Sequence, residues 1–225
     1  MTAVSDRIAK VYIQGPIKRS EEEYYTLLPT LLSVGFQQPD IVCSPLMDPN
    51  HLKCESIFNI YDPFLPRGKI PPFSCEAAHL PLRSIVNMLT FTTIIQAAAA
   101  LEAPDTAAIL ILDSRAITRR DVFVRLKDLV EKESSTAWEC LSLSHVPSVL
   151  PDTADISYFS ESQLFQQEPM TPITTGAIAL RLSFVRKLVK TILPFRDPLE
   201  FELLFQTLIH KTGAHYVYPP IFDCR

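Results

Sequence analysis

The sequence predicts an α/β fold with a mixed, mainly parallel sheet flanked by helices. Three observations carry this expectation. Residues 8–44 read as strand, turn, helix and strand, the βαβ opening of such a sheet. Residues 107–112 (AAILIL) are an uninterrupted apolar run ending in Asp113, the pattern of a strand buried on both faces. The 225 residues, 47% hydrophobic and 20% charged, suit one globular unit over 1–225, given about 150 residues per domain. They exclude disorder, collagen-like repeats and coiled coil.

Each element has a local cause. Ile8 to Ile13 is β-branched and brief, and Gly15-Pro16 ends it as turn residues do. Ser20 and three glutamates then suit a helix N-terminus, where carboxylates oppose the positive end of the dipole. Leu27, Leu28, Leu31 and Leu32 follow at helical spacing, Gly35 caps that helix, and Asp40 to Ser44 is the second strand. Six prolines between 45 and 72 forbid regular helix and predict a long irregular connection. Ser74 to Leu101 reads as a buried helix kinked at Pro81, too polar for a membrane span. After the central strand come a helix at 121–132, a strand at 138–143 and a polar, proline-bearing loop at 144–172. The last third reads as a strand at 175–182, helices at 183–193 and 198–210, and a strand through Tyr216-Val217-Tyr218.

Composition narrows the function. With 25 acidic against 21 basic residues the formal charge is −4, so nucleic-acid binding has no global electrostatic source. Cys43, Cys54, Cys75, Cys140 and Cys224 form no C-x-x-C pair and read as reduced thiols. The first ten residues carry Asp6 and Arg7 without a long apolar stretch, so no secretory signal is read there and the expected localisation is cytoplasmic. The chain lacks G-x-S-x-G, G-x-x-x-x-G-K-[ST] and G-x-G-x-x-G, which removes the serine hydrolase, P-loop and dinucleotide-binding classes. Ligands of open α/β sheets bind beyond the carboxyl ends of the strands, which makes Asp113-Ser114-Arg115 the best-placed candidate site.

Taken in order, several blocks resemble glycosyltransferase family 25, the lipopolysaccharide and collagen galactosyltransferase family. VYIQGPIKRS at 11–20 is similar to its opening strand and basic turn, and CEAAHLPLRSIV at 75–86 to its Gly-Cys-x-x-Ser-His helix. ILILDSRAI at 109–117 sits where the family has Leu-Glu-Asp-Asp-Ala, and residues 138–143 resemble the strand that follows. TTGAIALRLSFVRKLV at 174–189, DPLEFELLF at 197–205 and HYVYPPIF at 215–222 complete the set. The resemblance implies a single-domain GT-A (Rossmann-like) fold, in which the loop at 144–172, of the length typical of lids and substrate loops, is expected to be a lid or acceptor loop. It implies a hexosyltransferase moving a sugar from a nucleotide-sugar donor, a UDP-sugar, to a hydroxyl on a glycan or glycoprotein, with a manganese ion (Mn2+) on the acidic motif. No nucleic acid and no transmembrane segment are expected.

The resemblance also assigns residues. Ile13, Gln14, Gly15, Lys18, Arg19, His79, Arg83, Asp113, Ser114 and Arg115 fall on the donor-binding blocks, Asp113 being the metal candidate. Glu200 falls on the family's aspartate and is favoured as the base that takes the acceptor's proton. Glu202, two residues on, is the other catalytic candidate, and helical geometry keeps the two from facing the site together. The chain departs from the family at its acidic motif, where Asp113-Ser114-Arg115-Ala116 offers one carboxylate in place of three acids. Two readings stay open. Arg115 replaces the metal, its guanidinium binding a diphosphate bidentately, or the chain is a non-catalytic relative that keeps the fold for binding or scaffolding.

Overall fold

The computed structural model describes residues 8–15, 27–33, 35–52, 57, 59–65, 80–118, 122, 125–126, 138–144, 163–166 and 172–224. Seven strands form one sheet: β1 (Ile8–Gly15), β2 (Ile41–Pro45), β3 (Ala108–Asp113), β5 (Trp138–Ser142), β6 (Gln163–Gln166), β7 (Ala177–Arg181) and β8 (Gly213–Tyr218). They lie in the order β2-β1-β3-β7-β5-β8-β6. The pairs β1/β2, β1/β3 and β5/β8 are parallel, while β7 runs antiparallel to both of its neighbours and β6 antiparallel to β8. Most strands therefore point one way, and the α/β class with a mixed, mainly parallel sheet is the one observed. A second, two-stranded sheet pairs β4 (Ala116–Thr118) with β9 (Phe222–Cys224).

Alternation along the strands splits the core into two layers. In β3, Ala108, Leu110 and Leu112 pack on one face with Val11, Ile13, Leu141 and Val217, covered by Leu27, Leu31, Val122 and Leu126 from helical residues. Ile109 and Ile111 face the other side with Tyr12, Ile178 and Leu180. That side is covered by α1 (Leu82–Ala99), α2 (Leu182–Thr191) and α3 (Leu199–His210). Burial on both faces is why β3 reads as a continuous apolar run.

Turn residues act as their chemistry requires. Gly35 has φ +95° and its N–H bonds the Leu32 carbonyl at 3.0 Å, closing the helical stretch 27–33. The helix read from Ser74 begins at Leu82 with Pro81 as its N-cap, because proline fits a helix start and not its interior; residues 71–79 lie outside the described set. The loop expected at 144–172 contains an edge strand, β6, so that reading is corrected there. Among the described residues no helix is long and apolar enough to cross a membrane. Burial pushes the Cys140 thiol up to about 12, which makes it an inert core group.

A polar ladder joins α2 to α3. The Thr191 hydroxyl donates to Gln206 Oε1 at 2.7 Å and lies 3.0 Å from His210 Nε2. Burial and the Lys187 ammonium hold the His210 pKa below the ordinary histidine value, with Glu139 pulling the other way. A histidine with a lowered folded pKa binds fewer protons than in the unfolded chain, so stability falls as pH drops from above about 6.5 and levels off below the folded pKa. In thermal melts taken between about pH 8 and about pH 5.5, His210→Gln is expected to show a smaller fall in Tm than the parent. An equal fall in both proteins would contradict this assignment.

Candidate functional site

The site lies where the strand order changes direction. β1 carries β2 on one side and β3 on the other, and a crevice opens beyond the carboxyl ends of β1 and β3, as the rule for open α/β sheets requires. The two strand ends approach closely there. Gln14 pairs with Asp113, and the Ser114 N–H donates to the Gln14 carbonyl at 2.7 Å. A Cβ on Gly15 would lie 2.2 Å from Ser114 Oγ, so only glycine fits between them.

Several segments converge on a cleft of about 150 Å³. β1 supplies Gln14 and Gly15, and the end of β3 supplies Asp113 and Arg115. One stripe of α1 supplies Arg83, Ser84, Asn87 and Phe91, and the start of α3 supplies Pro198, Leu199 and Glu200, with Thr175 beside them. The Gln14 side-chain amide donates to the Asn87 carbonyl at 3.3 Å, tying β1 to α1. Thr175 Oγ1 donates to Glu200 Oε1 at 3.1 Å and so orients that carboxylate.

The Asp113–Arg115 pair dominates the strand end. Arg115 Nε donates to Asp113 Oδ1 and Arg115 Nη2 to Oδ2, both at 2.9 Å, a two-pronged fork in which each carboxylate oxygen is used. The Arg115 backbone N–H adds a third bond to Oδ1 at 2.8 Å. Among the described residues, Arg83 and Glu200 are the other charged side chains that line the cleft. Arg83 stands in the first turn of α1, where a cation opposes the helix dipole, and α1 has no side-chain N-cap. The Arg83 guanidinium is therefore the positive charge that α1 contributes to the cleft's lining.

The candidates named from sequence separate into groups. Gln14, Gly15, Arg83, Asp113, Arg115 and Glu200 line the cleft. Ile13 is a fully buried core residue paired with Leu112, and Ser114 is buried behind Gly15. Lys18, Arg19 and His79 lie outside the described residues. Glu202, the other catalytic candidate, is 0% exposed and does not line the cleft, its carboxylate accepting instead from the Arg196 N–H and from Gln206 Nε2. Ser84, Asn87, Phe91 and Thr175 were missed. The i, i+4 and i+8 spacing of Arg83, Asn87 and Phe91 is the signal that places three of the wall's residues on one helix stripe.

Solved structures offer a likeness of fold. No protein-family model matches the chain, and no curated protein matches it. Among solved structures, the fold is similar to that of a glycosyltransferase involved in the glycosylation of the major capsid of PBCV-1. The identity is 12% over 92% of this chain and 79% of that chain, with a TM-score of 0.46. A likeness at that distance assigns no activity.

Proposed function

We propose that this protein is a glycosyltransferase, moving a hexose from a UDP-sugar to a hydroxyl of a glycan or glycoprotein, with Arg115 in the role that acids and a metal take elsewhere. The observation that carries this is the Asp113–Arg115 fork with the Thr175-oriented Glu200 on the same cleft. The enclosed volume of about 150 Å³ is below the roughly 300–1,000 Å³ of whole-ligand pockets, which suits the reacting sugar–diphosphate junction. In the transfer, the bond from the anomeric carbon to the diphosphate oxygen breaks with its electron pair going to that oxygen. The acceptor oxygen bonds to the same carbon, and its proton passes to Glu200, a step worth about 10²–10⁴-fold. Arg115, held by Asp113, and Arg83 stabilise the departing diphosphate by fixed positive charge.

The described residues support a metal-free reading over a manganese ion. A hard cation needs several oxygens, whereas both Asp113 oxygens already accept from a guanidinium and the described residues hold no group of three or more ligating side chains. No step is therefore routed through a metal. The same fork favours a second reading, a non-catalytic binding domain, because it takes up the motif's one carboxylate.

Calorimetric titration with uridine and guanosine diphosphates, each with manganese and with chelator, separates the readings. Micromolar binding of uridine diphosphate that survives chelator is expected, falling by about tenfold or more in Arg115→Ala and less in Asp113→Ala, a loss equivalent to about 1.4 kcal/mol. Binding only with manganese would overturn the arginine role, and no binding of either nucleotide would favour the non-catalytic domain.

A further inference from the structure

Beside the cleft, buried and away from its lining, lies a trio of ionisable side chains. Arg196 is 7% exposed, Asp197 1% and Glu202 0%. Burying three such groups is not explained by stability, since well-packed apolar residues of similar volume do as well or better. The trio is also incompletely satisfied: Arg196 Nη2 and Asp197 Oδ1 are buried with no partner among the described residues. Groups kept at that cost next to a cleft call for a role there.

Connectivity gives the role. Glu202 Oε2 reaches back to accept from the Arg196 N–H at 3.4 Å, and Glu202 Oε1 accepts from Gln206 Nε2 at 3.3 Å. The first of these bonds closes a loop of chain from 196 to 202. That loop contains Pro198, Leu199 and Glu200, every residue that α3 and its cap contribute to the cleft. The Arg196 guanidinium points the other way. Its Nε donates to Asp197 Oδ2 at 3.0 Å and its Nη1 to the Leu65 carbonyl at 3.3 Å, in the proline-rich connection. The same connection is pinned by its backbone, with Phe195 N–H donating to Ile60 and Asp62 N–H to Phe195, both at 2.9 Å.

We infer that Arg196, Asp197 and Glu202 form a buried positioning unit that fixes the Glu200 carboxylate in the cleft and ties its wall to residues 60–65. The inference rests on the reading of Glu200 as the cleft's base, yet its test needs no substrate. The Glu200 carboxyl carbon is followed by NMR through a pH titration in the parent and in Glu202→Gln, with Glu200→Gln to assign the resonance and Asp105→Asn as a remote control. Glu202→Gln is expected to stay folded and to move the Glu200 midpoint by about half a pH unit or more. Amide exchange at Phe201 and Glu202, both bonded to the Pro198 carbonyl, is expected to rise about tenfold. A purely structural role would lower Tm and leave Glu200 with only the downward shift that loss of the Glu202 charge brings, with amide exchange at Phe201 and Glu202 unchanged, and that unchanged exchange in folded Glu202→Gln overturns the inference. Should that variant fail to fold, Arg196→Lys, which keeps the charge and loses the Nε bond to Asp197, is read by the same two outcomes. The nucleotide titration stands apart from this readout, so the positioning unit and the transferase reading fail separately.

Discussion

Phe195→Ala is expected to destabilise the protein by about 3–5 kcal/mol, the range for removing a buried phenylalanine ring. Phe195 is 0% exposed and belongs to the core layer under α1, α2 and α3, beside Leu203 and Leu204. Its ring lies 5.5 Å from that of Tyr61, tilted by 41°, so an aromatic pair is lost as well as buried area. Its backbone is bonded on both sides to the proline-rich connection. The cavity would therefore open where residues 60–62 join the α2–α3 turn. Domains of this size have about 5–15 kcal/mol in total, so the variant should lose a large share of it. Urea unfolding checks this: the midpoint falls while the slope holds. Phe64→Ala, four residues from Ile60 on the same connection but 85% exposed, is expected to change stability by less than about 0.5 kcal/mol. Similar midpoints for the two variants would refute the role given to Phe195.

Burial decided which elements were legible in the sequence. β3 stood out because both of its faces are covered, which leaves no polar position along 107–112. α2 and α3 were legible from apolar spacing, and α1 from its length. β6 was hidden because an edge strand of four residues, Gln-Leu-Phe-Gln, pairs only with β8 and carries no two-faced apolar signature. The three-residue strands β4 and β9 were hidden for the same reason. The antiparallel insertion of β7 between β3 and β5 depends on long-range pairing that no local pattern encodes.

The site was legible as a location more than as an arrangement. Asp113 was placed by the carboxyl-end rule, which follows from topology alone, and Gly15 by its turn and the resemblance. Glu200 and Glu202 stand two residues apart in one helix turn, and only tertiary packing decides that the second turns inward to Arg196. The fork from Arg115 back to Asp113 is a side-chain conformation, which residue types permit and do not specify. Thr175 was invisible because its part in the cleft is to hold Glu200, a contact across 25 residues.

Gly15→Ala is expected to disturb stability and site together, because the added carbon meets Ser114 Oγ at 2.2 Å and Ser114 Cβ at 2.4 Å. No rotamer of Ser114 relieves the second contact, so β1 and β3 must separate at their carboxyl ends, where Asp113 and Arg115 leave the sheet. Overpacking of this kind costs about 1–3 kcal/mol, and the strain falls on the cleft's floor. Nucleotide affinity, where uridine diphosphate binds the parent, is expected to fall with it. The double variant Gly15→Ala/Ser114→Gly removes both contacts and should recover most of the loss, a coupling that two independent sites would not show. Gly35→Ala is the contrasting case: nothing lies within 4 Å of its added carbon, but φ is +95°. Its cost of about 1–2 kcal/mol comes from the backbone, and Ser114→Gly leaves it unchanged. Failure of Ser114→Gly to rescue Gly15→Ala in a urea melt would mean that the strand ends do not meet through these two residues, and the cleft's floor would have to be redrawn.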